Sequence, residues 1–139
     1  MSTRSNLIIE DDYNRIQLYR HADGYPNGQY GVLAEPEEAI SCAWSFPRFE
    51  ASDFAAAIVR AWKSGAGNVY IDGSPTAWEL IHDDTEWVYV IKAGDTEPLV
   101  EVYDWHKYWF GKADPNEYEP VPVMQMKLSE AERIGMEWE

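Results

Sequence analysis

Ten consecutive residues, Tyr19-Arg20-His21-Ala22-Asp23-Gly24-Tyr25-Pro26-Asn27-Gly28, gather a guanidinium, an imidazole, a carboxylate and two phenols around turn-forming residues. Such a set can grip an anion, a nucleotide or a protein loop through several directional hydrogen bonds, with Arg20, His21, Asp23 and Tyr25 as the gripping groups. It also reads as a structural turn, in which Asp23 caps the chain and pairs with Arg20 while Tyr25 folds back over a sheet. Strand periodicity puts Arg20 on the same face as Ile16 and Leu18, with Tyr19 and His21 on the other. An unpaired guanidinium on an apolar face is costly, so the pattern predicts a carboxylate partner for Arg20, and Asp23 is the nearest in sequence.

Other catalytic chemistries find little support. His21, His82 and His106 show no His-x-x-x-His spacing that would place two imidazoles on one helical face, so no metal is expected. His82-Asp83-Asp84 and Asp104-Trp105-His106 read as local acid–imidazole pairs. Ser45 and Ser74 lie in no Gly-x-Ser-x-Gly turn, and no glycine-rich phosphate loop occurs. The single cysteine, Cys42, has no internal disulfide partner and reads as a small buried hydrophobe. The expectation is a non-enzymatic protein without cofactor. The alternative is a binder of a small anion or nucleotide, or an enzyme, centred on the Arg20–Tyr25 loop.

Charge says more about the partner. The chain carries 11 basic and 25 acidic residues, a net charge of −14. Residues 1–70 hold six bases and nine acids, net −3, whereas residues 71–139 hold five bases and sixteen acids, net −11. A field of that sign repels nucleic acid and anionic membrane and steers association toward basic surfaces, although acidity also serves simply to keep an aromatic-rich protein soluble. Asp83, Asp84, Glu86, Glu97, Glu101 and Asp104 are the expected acidic contact face. Within the aromatic run Trp105-His106-Lys107-Tyr108-Trp109-Phe110, Trp105 and Trp109 are the candidate anchors, since tryptophan is enriched at interface centres.

At 139 residues, 45% apolar and 14% aromatic, the chain suffices for one packed domain and is no disordered acidic tail. No apolar segment reaches signal-peptide or membrane-span length, so a cytoplasmic setting is expected. Residues 6–10 and 15–21 read as two strands joined by the polar turn Asp11-Asp12-Tyr13-Asn14. A short helix is predicted over Glu35–Ala43, led by Pro36, Glu37 and Glu38. The principal helix is predicted over about residues 53–64: Ser52 or Asp53 caps it, Phe54, Ile58, Ala61 and Trp62 form its apolar stripe, and Gly65 stops it. Residues 68–72, 86–92 and 99–105 are rich in β-branched and aromatic residues, the last two joined by a hairpin loop. Residues 121–127 add a further strand and 129–135 a terminal helix. This order predicts a single α+β domain over 1–139, with a mainly antiparallel sheet and one principal helix packed on it.

Ser2-Thr3-Arg4-Ser5-Asn6, the strand that follows it, and the loop Tyr19-Arg20-His21-Ala22-Asp23-Gly24-Tyr25-Pro26 together resemble a group of small bacteriophage and mobile-element proteins. Those proteins open with a Ser/Thr-Arg-Ser/Ala-Asn-like segment and carry a Tyr-Arg-His-x-Asp-Gly-Tyr-Pro loop. The loop covers under a tenth of the chain, and Ala22 stands where an aromatic is common in the group. The strand around Glu86-Trp87-Val88-Tyr89-Val90 is similar in kind. The resemblance implies a mobile-element origin. Small acidic phage proteins of this size are often inhibitors of host defence, anti-CRISPR proteins among them. The expected partner is therefore a host protein with a basic surface, such as a CRISPR-Cas effector or another nucleic-acid-binding defence protein. Binding would occur in the host cytoplasm, without direct contact to nucleic acid or membrane.

Overall fold

The computed structural model describes residues 3–28, 30–33, 49–63, 68–72, 84–106 and 119–138. In chain order the elements are β1 (Ser5–Glu10), β2 (Arg15–Arg20), α1 (Ala51–Trp62), β3 (Val69–Ile71), β4 (Trp87–Lys92), β5 (Leu99–Asp104), β6 (Met124–Lys127), a single 3-10 turn (Leu128–Glu130) and α2 (Ala131–Glu137). The fold is α+β. The helix predicted over Glu35–Ala43 falls outside the described residues, as do Cys42, His82, Asp83 and Trp109.

The six strands form one sheet in the order β3-β2-β1-β4-β5-β6. Four neighbouring pairs are antiparallel, and the central pair, β1 with β4, is parallel. β3 pairs antiparallel with β2 and so runs in the same sense as β1, and β4 takes the free side of β1 in that same sense.

Asp11 organises the first hairpin. Its Oδ1 accepts the backbone N–H groups of Tyr13 at 2.8 Å and Asn14 at 2.7 Å, and its own N–H donates to the Asn14 carbonyl at 2.9 Å. This is an Asx-type turn, the reason Asp is favoured there. Its second oxygen, Oδ2, accepts the N–H of Ala51, the first residue of α1, at 2.8 Å. Glu50, the residue before the helix, makes no side-chain cap. The cap therefore comes from the hairpin and not from Ser52 or Asp53, and α1 starts two residues earlier than the sequence suggested.

α1 buries Ala51, Phe54, Ala55, Ile58 and Trp62, a stripe at helical spacing, whereas the expected Ala61 is exposed. At its C-terminus the Asn68 side chain donates to the Trp62 carbonyl at 2.6 Å, and Lys63 Nζ donates to the Val69 carbonyl at 2.7 Å. The first satisfies a carbonyl the helix leaves open, the second ties the end of α1 to β3, and together they fix the turn between them. The stripe packs on one sheet face with Leu7, Ile9, Leu18, Tyr89, Ile91, Val100 and Val102. Burying each large side chain contributes roughly 1.5–3 kcal/mol. The opposite face is covered too, where Ile8, Val88 and Val90 are buried with Tyr103 and Trp105. Alternate residues of β4 thus serve two cores, which explains its nearly continuous apolar sequence.

Candidate protein-binding face

The 19–28 segment is built into the scaffold. His21 N–H donates to the Asn68 carbonyl at 3.0 Å, Gly24 N–H to the Thr3 carbonyl at 2.9 Å, and Gly28 N–H to the Gly135 carbonyl in α2 at 3.0 Å. The buried Tyr89 hydroxyl donates to the Gly24 carbonyl at 2.7 Å. Burial raises the pKa of that phenol well above its ordinary value, while the nearby Arg20 guanidinium acts in the opposite sense. A Cβ on Gly24 would meet Ser5 and the Thr3 carbonyl at 2.8 Å, so the residue is required by close approach.

The predicted Arg20–Asp23 pair is not formed. Arg20 is buried, as its strand face required, but its Nε donates to the Ala22 carbonyl at 2.8 Å and an Nη to the Tyr30 carbonyl at 3.3 Å. Its guanidinium lies 4.3 Å from the centroid of the Trp62 ring. Among the described residues, carbonyl dipoles and an aromatic face meet the guanidinium where Asp23 was expected. Asp23 has a φ of 54°, which carries its exposed side chain away from Arg20 and toward the Tyr25 hydroxyl, which donates to it at 2.9 Å. His21 is exposed, its Nδ1 3.2 Å from the Tyr19 hydroxyl.

The five expected carboxylates that lie among the described residues, Asp84, Glu86, Glu97, Glu101 and Asp104, do not share one face. Register explains why: β4 and β5 pair antiparallel with Trp87 opposite Asp104 and Lys92 opposite Leu99. Glu86 and Asp104 therefore meet at one end of the hairpin, and Glu97 lies at the other, where its carboxylate accepts the Ser129 hydroxyl at 2.6 Å. Glu101 stands between them on the second sheet face, 3.1 Å from Lys92 Nζ and accepting the Tyr103 hydroxyl at 3.2 Å. Burial first, then the Glu101 carboxylate, pushes the Tyr103 phenol far above its ordinary pKa.

What does come together is Glu86 and Asp104, at the end of the sheet where β1 and β4 begin and β5 finishes, while Asp84, two residues before Glu86, pairs with Arg4 and lies near Tyr19 of β2. Glu86 is fixed by its N–H to the Arg4 carbonyl at 3.0 Å and by its carbonyl accepting Trp105 N–H at 2.9 Å. Asp104 and Glu86 hold the exposed His106 between them, Nδ1 against the Asp104 carboxylate and Nε2 3.4 Å from Glu86. Asp84 is 3.0 Å from Arg4 Nε, and its Oδ1 is buried with no hydrogen-bond partner among the described residues. Behind it, Tyr19 has its pKa pushed up to about 12, chiefly by burial and then by the Asp84 carboxylate, with Arg4 opposing.

Trp105 cannot serve as a surface anchor: at 3% exposure it belongs to the second core, with its ring edge-on to Tyr103 at 6.4 Å. The aromatic group beside the carboxylates is instead Trp87, half-buried, 5.7 Å from the His106 ring and 6.4 Å from Trp138. Trp138 was missed in the sequence. Its signal was the spacing Ala131, Ile134, Trp138, which carries the terminal helix past residue 135 and turns these side chains to the core.

Among the described residues no three of His, Cys, Asp and Glu gather closely enough to hold a metal ion. None of the described helices is long and apolar enough to cross a membrane. The arrangement at the acidic end can accept hydrogen bonds and ion pairs from cationic side chains at two carboxylates, Glu86 and Asp104, that hold one exposed imidazole. The chain matches no family model, no curated protein and no solved structure.

Proposed function

We propose that this chain is an acidic interaction protein that engages a basic surface of another protein through Asp84, Glu86 and Asp104. The observation that carries the reading is the meeting of Glu86 and Asp104 around one exposed imidazole, with Asp84 two residues before Glu86, in a molecule of net charge −14. Asp104 lies in β5, Glu86 is held by two backbone hydrogen bonds, and the contacts to His106 already order both side chains, so less ordering is left to oppose binding. A lysine or arginine of the partner competes with His106 for Glu86 and Asp104, and the carboxylates stand where phosphates would. In the finer form of the proposal the partner is a nucleic-acid-binding host defence protein, such as a CRISPR-Cas effector, whose basic site is occupied and so blocked. The Tyr19–Pro26 resemblance to phage proteins supports that form, together with the sign of the charge. The protein acts here by occupancy, not by catalysis.

The test is affinity capture from host lysate at about 50 mM and about 500 mM salt, where screening lengths differ severalfold. The wild type is compared with a Glu86→Lys/Asp104→Lys double variant. Capture of a basic protein that fails at high salt and fails for the variant is the expected result. Equal capture by both proteins would sink the proposal.

A further inference from the structure

We propose that the groove between β6 and α2 seats an apolar anchor side chain of a cationic segment of the partner protein. The proposal rests on the reading that the partner is basic, and it adds where and by what chemistry that partner is held.

Met124, Ile134, Glu137 and Trp138 line an open groove of about 550 Å³. Met124 in the groove wall is 38% exposed, and Val121 and Val123 before β6 and Met136 in α2 are exposed as well. Apolar side chains left open to solvent mark a contact surface more often than chance placement, and methionine adapts to varied partners. The groove is not isolated from the carboxylates. Trp138 meets Trp87 edge-on, and Trp87 meets His106, which Glu86 and Asp104 hold.

Charge selects the occupant. Glu137 lines the groove itself, its carboxylate accepting from Arg133 Nη1 at 3.2 Å yet still two-thirds exposed, and the half of the chain that builds the groove carries a net −11. A second copy of this chain would bring −14 of like charge to the same place, whereas a bulky apolar residue flanked by lysine or arginine satisfies both the apolar floor and the acidic wall. Backbone pairing is not the mode. The outer edge of β6 is preceded by Pro120 and Pro122, which have no N–H to give, and Lys127 N–H already donates to Glu130 Oε1 at 3.2 Å. Recognition therefore goes through side chains entering the groove.

The experiment uses the intact protein and two synthetic peptides: one phenylalanine flanked on each side by two lysines, and the same peptide with glycine for phenylalanine. Affinities are measured by titration at low salt, and contacts are mapped by amide and indole shifts. The phenylalanine peptide should bind about tenfold tighter, a free-energy step that one partly buried aromatic side chain can supply. Shifts should centre on Met124, Ile134 and Trp138. Met124→Ser, at an exposed edge position, should remove most of that preference, and Glu137→Gln should weaken both peptides without altering their ratio. Equal binding of both peptides, with shifts confined to Asp84, Glu86 and Asp104, overturns the groove and leaves the acidic-face reading standing. No binding of either peptide at low salt counts against both. Concentration-dependent dimerisation lost in Met124→Ser would assign the groove to a second copy and overturn the proposal.

Discussion

Replacing Asp11 with alanine removes three hydrogen bonds with a single change. Oδ2 caps the first N–H of α1 at 2.8 Å, and Oδ1 closes the hairpin turn through Tyr13 and Asn14. Loss of a helix cap costs about 1–2 kcal/mol. The two turn bonds are exposed, so water replaces them, and they add roughly 0.5 kcal/mol each, the low end for a net hydrogen bond. The sum is about 2–3 kcal/mol, which in a chain of this size lowers the melting temperature by roughly 6–12 °C. Asp11→Asn should fall between, because its amide oxygen can still close the turn while its NH₂ cannot accept from Ala51. Asp12→Ala, at an exposed neighbour, should stay within about 0.5 kcal/mol of wild type. The bond to Ala51 is the chief cause that lowers the Asp11 pKa below its ordinary 3.8, with the turn bonds adding to it against some burial. A lowered folded pKa means the contribution is complete above 3.8 and is lost as pH falls through the folded value. Thermal melts by circular dichroism at pH 7 and at about pH 2 should therefore show the gap between wild type and Asp11→Ala closing in acid. A gap that persists undiminished at the lower pH, or one under about 1 °C at pH 7, would refute the assignment of Asp11 as the cap.

Two further tests address the loop and the buried phenols. Asp23 holds a left-handed φ of 54° and spends its side chain on the exposed Tyr25 hydroxyl, so Asp23→Gly should be neutral to within about 1 kcal/mol. Asp23→Ala should cost about 1–2 kcal/mol more than the glycine variant, from backbone strain alone, and chemical denaturation reads the difference; equal stabilities would mean the φ is not the constraint. Tyr19 has its pKa raised to about 12 by burial. A raised phenol favours the fold while neutral, so its contribution is complete below pH 10 and is lost as pH rises through about 12. Ultraviolet titration of Tyr19→Phe against wild type should remove one late-ionising phenol, and removal of an ordinary one instead would show that Tyr19 is solvated.

The pattern of the chain made the strands and α1 legible because their periods are strong. Strand alternation sets Trp87, Tyr89 and Ile91 on one face of β4 and Val88 and Val90 on the other, and the two cores divide these residues in that way. The helix start was misplaced because its cap comes from a residue forty positions away, which no local signal announces. Periodicity correctly gave Arg20 a buried position, but it could not give the partner. A backbone carbonyl at Tyr30 and the ring of Trp62 come from two other parts of the chain. The acidic face failed as a set for a different reason. An extended strand carries Glu97 to the far end of the hairpin from Asp104, seven positions along the chain, whereas Glu86 and Asp104 meet across it. The alternating exposure of Trp105 and Trp87 follows the same rule: what counts is which face and which end, not aromatic content.

The parallel pairing of β1 with β4 sets the order in which this molecule can be made. β1 leaves the ribosome well before β4, one of its two neighbours, which emerges only after β2, α1 and β3. Until then the β1 edge carrying Leu7, Ile8 and Ile9 is open, and the face of Ile8 lacks Val88, Val90, Tyr103 and Trp105. An isolated hairpin of that kind is marginal in water, and closing a long loop must precede the contacts that reward it. Folding is thus gated by a late strand, and chains cut short before Trp87 expose a sticky apolar edge instead of a smaller folded unit. For this protein, the state most exposed to aggregation and proteolysis is the nascent one.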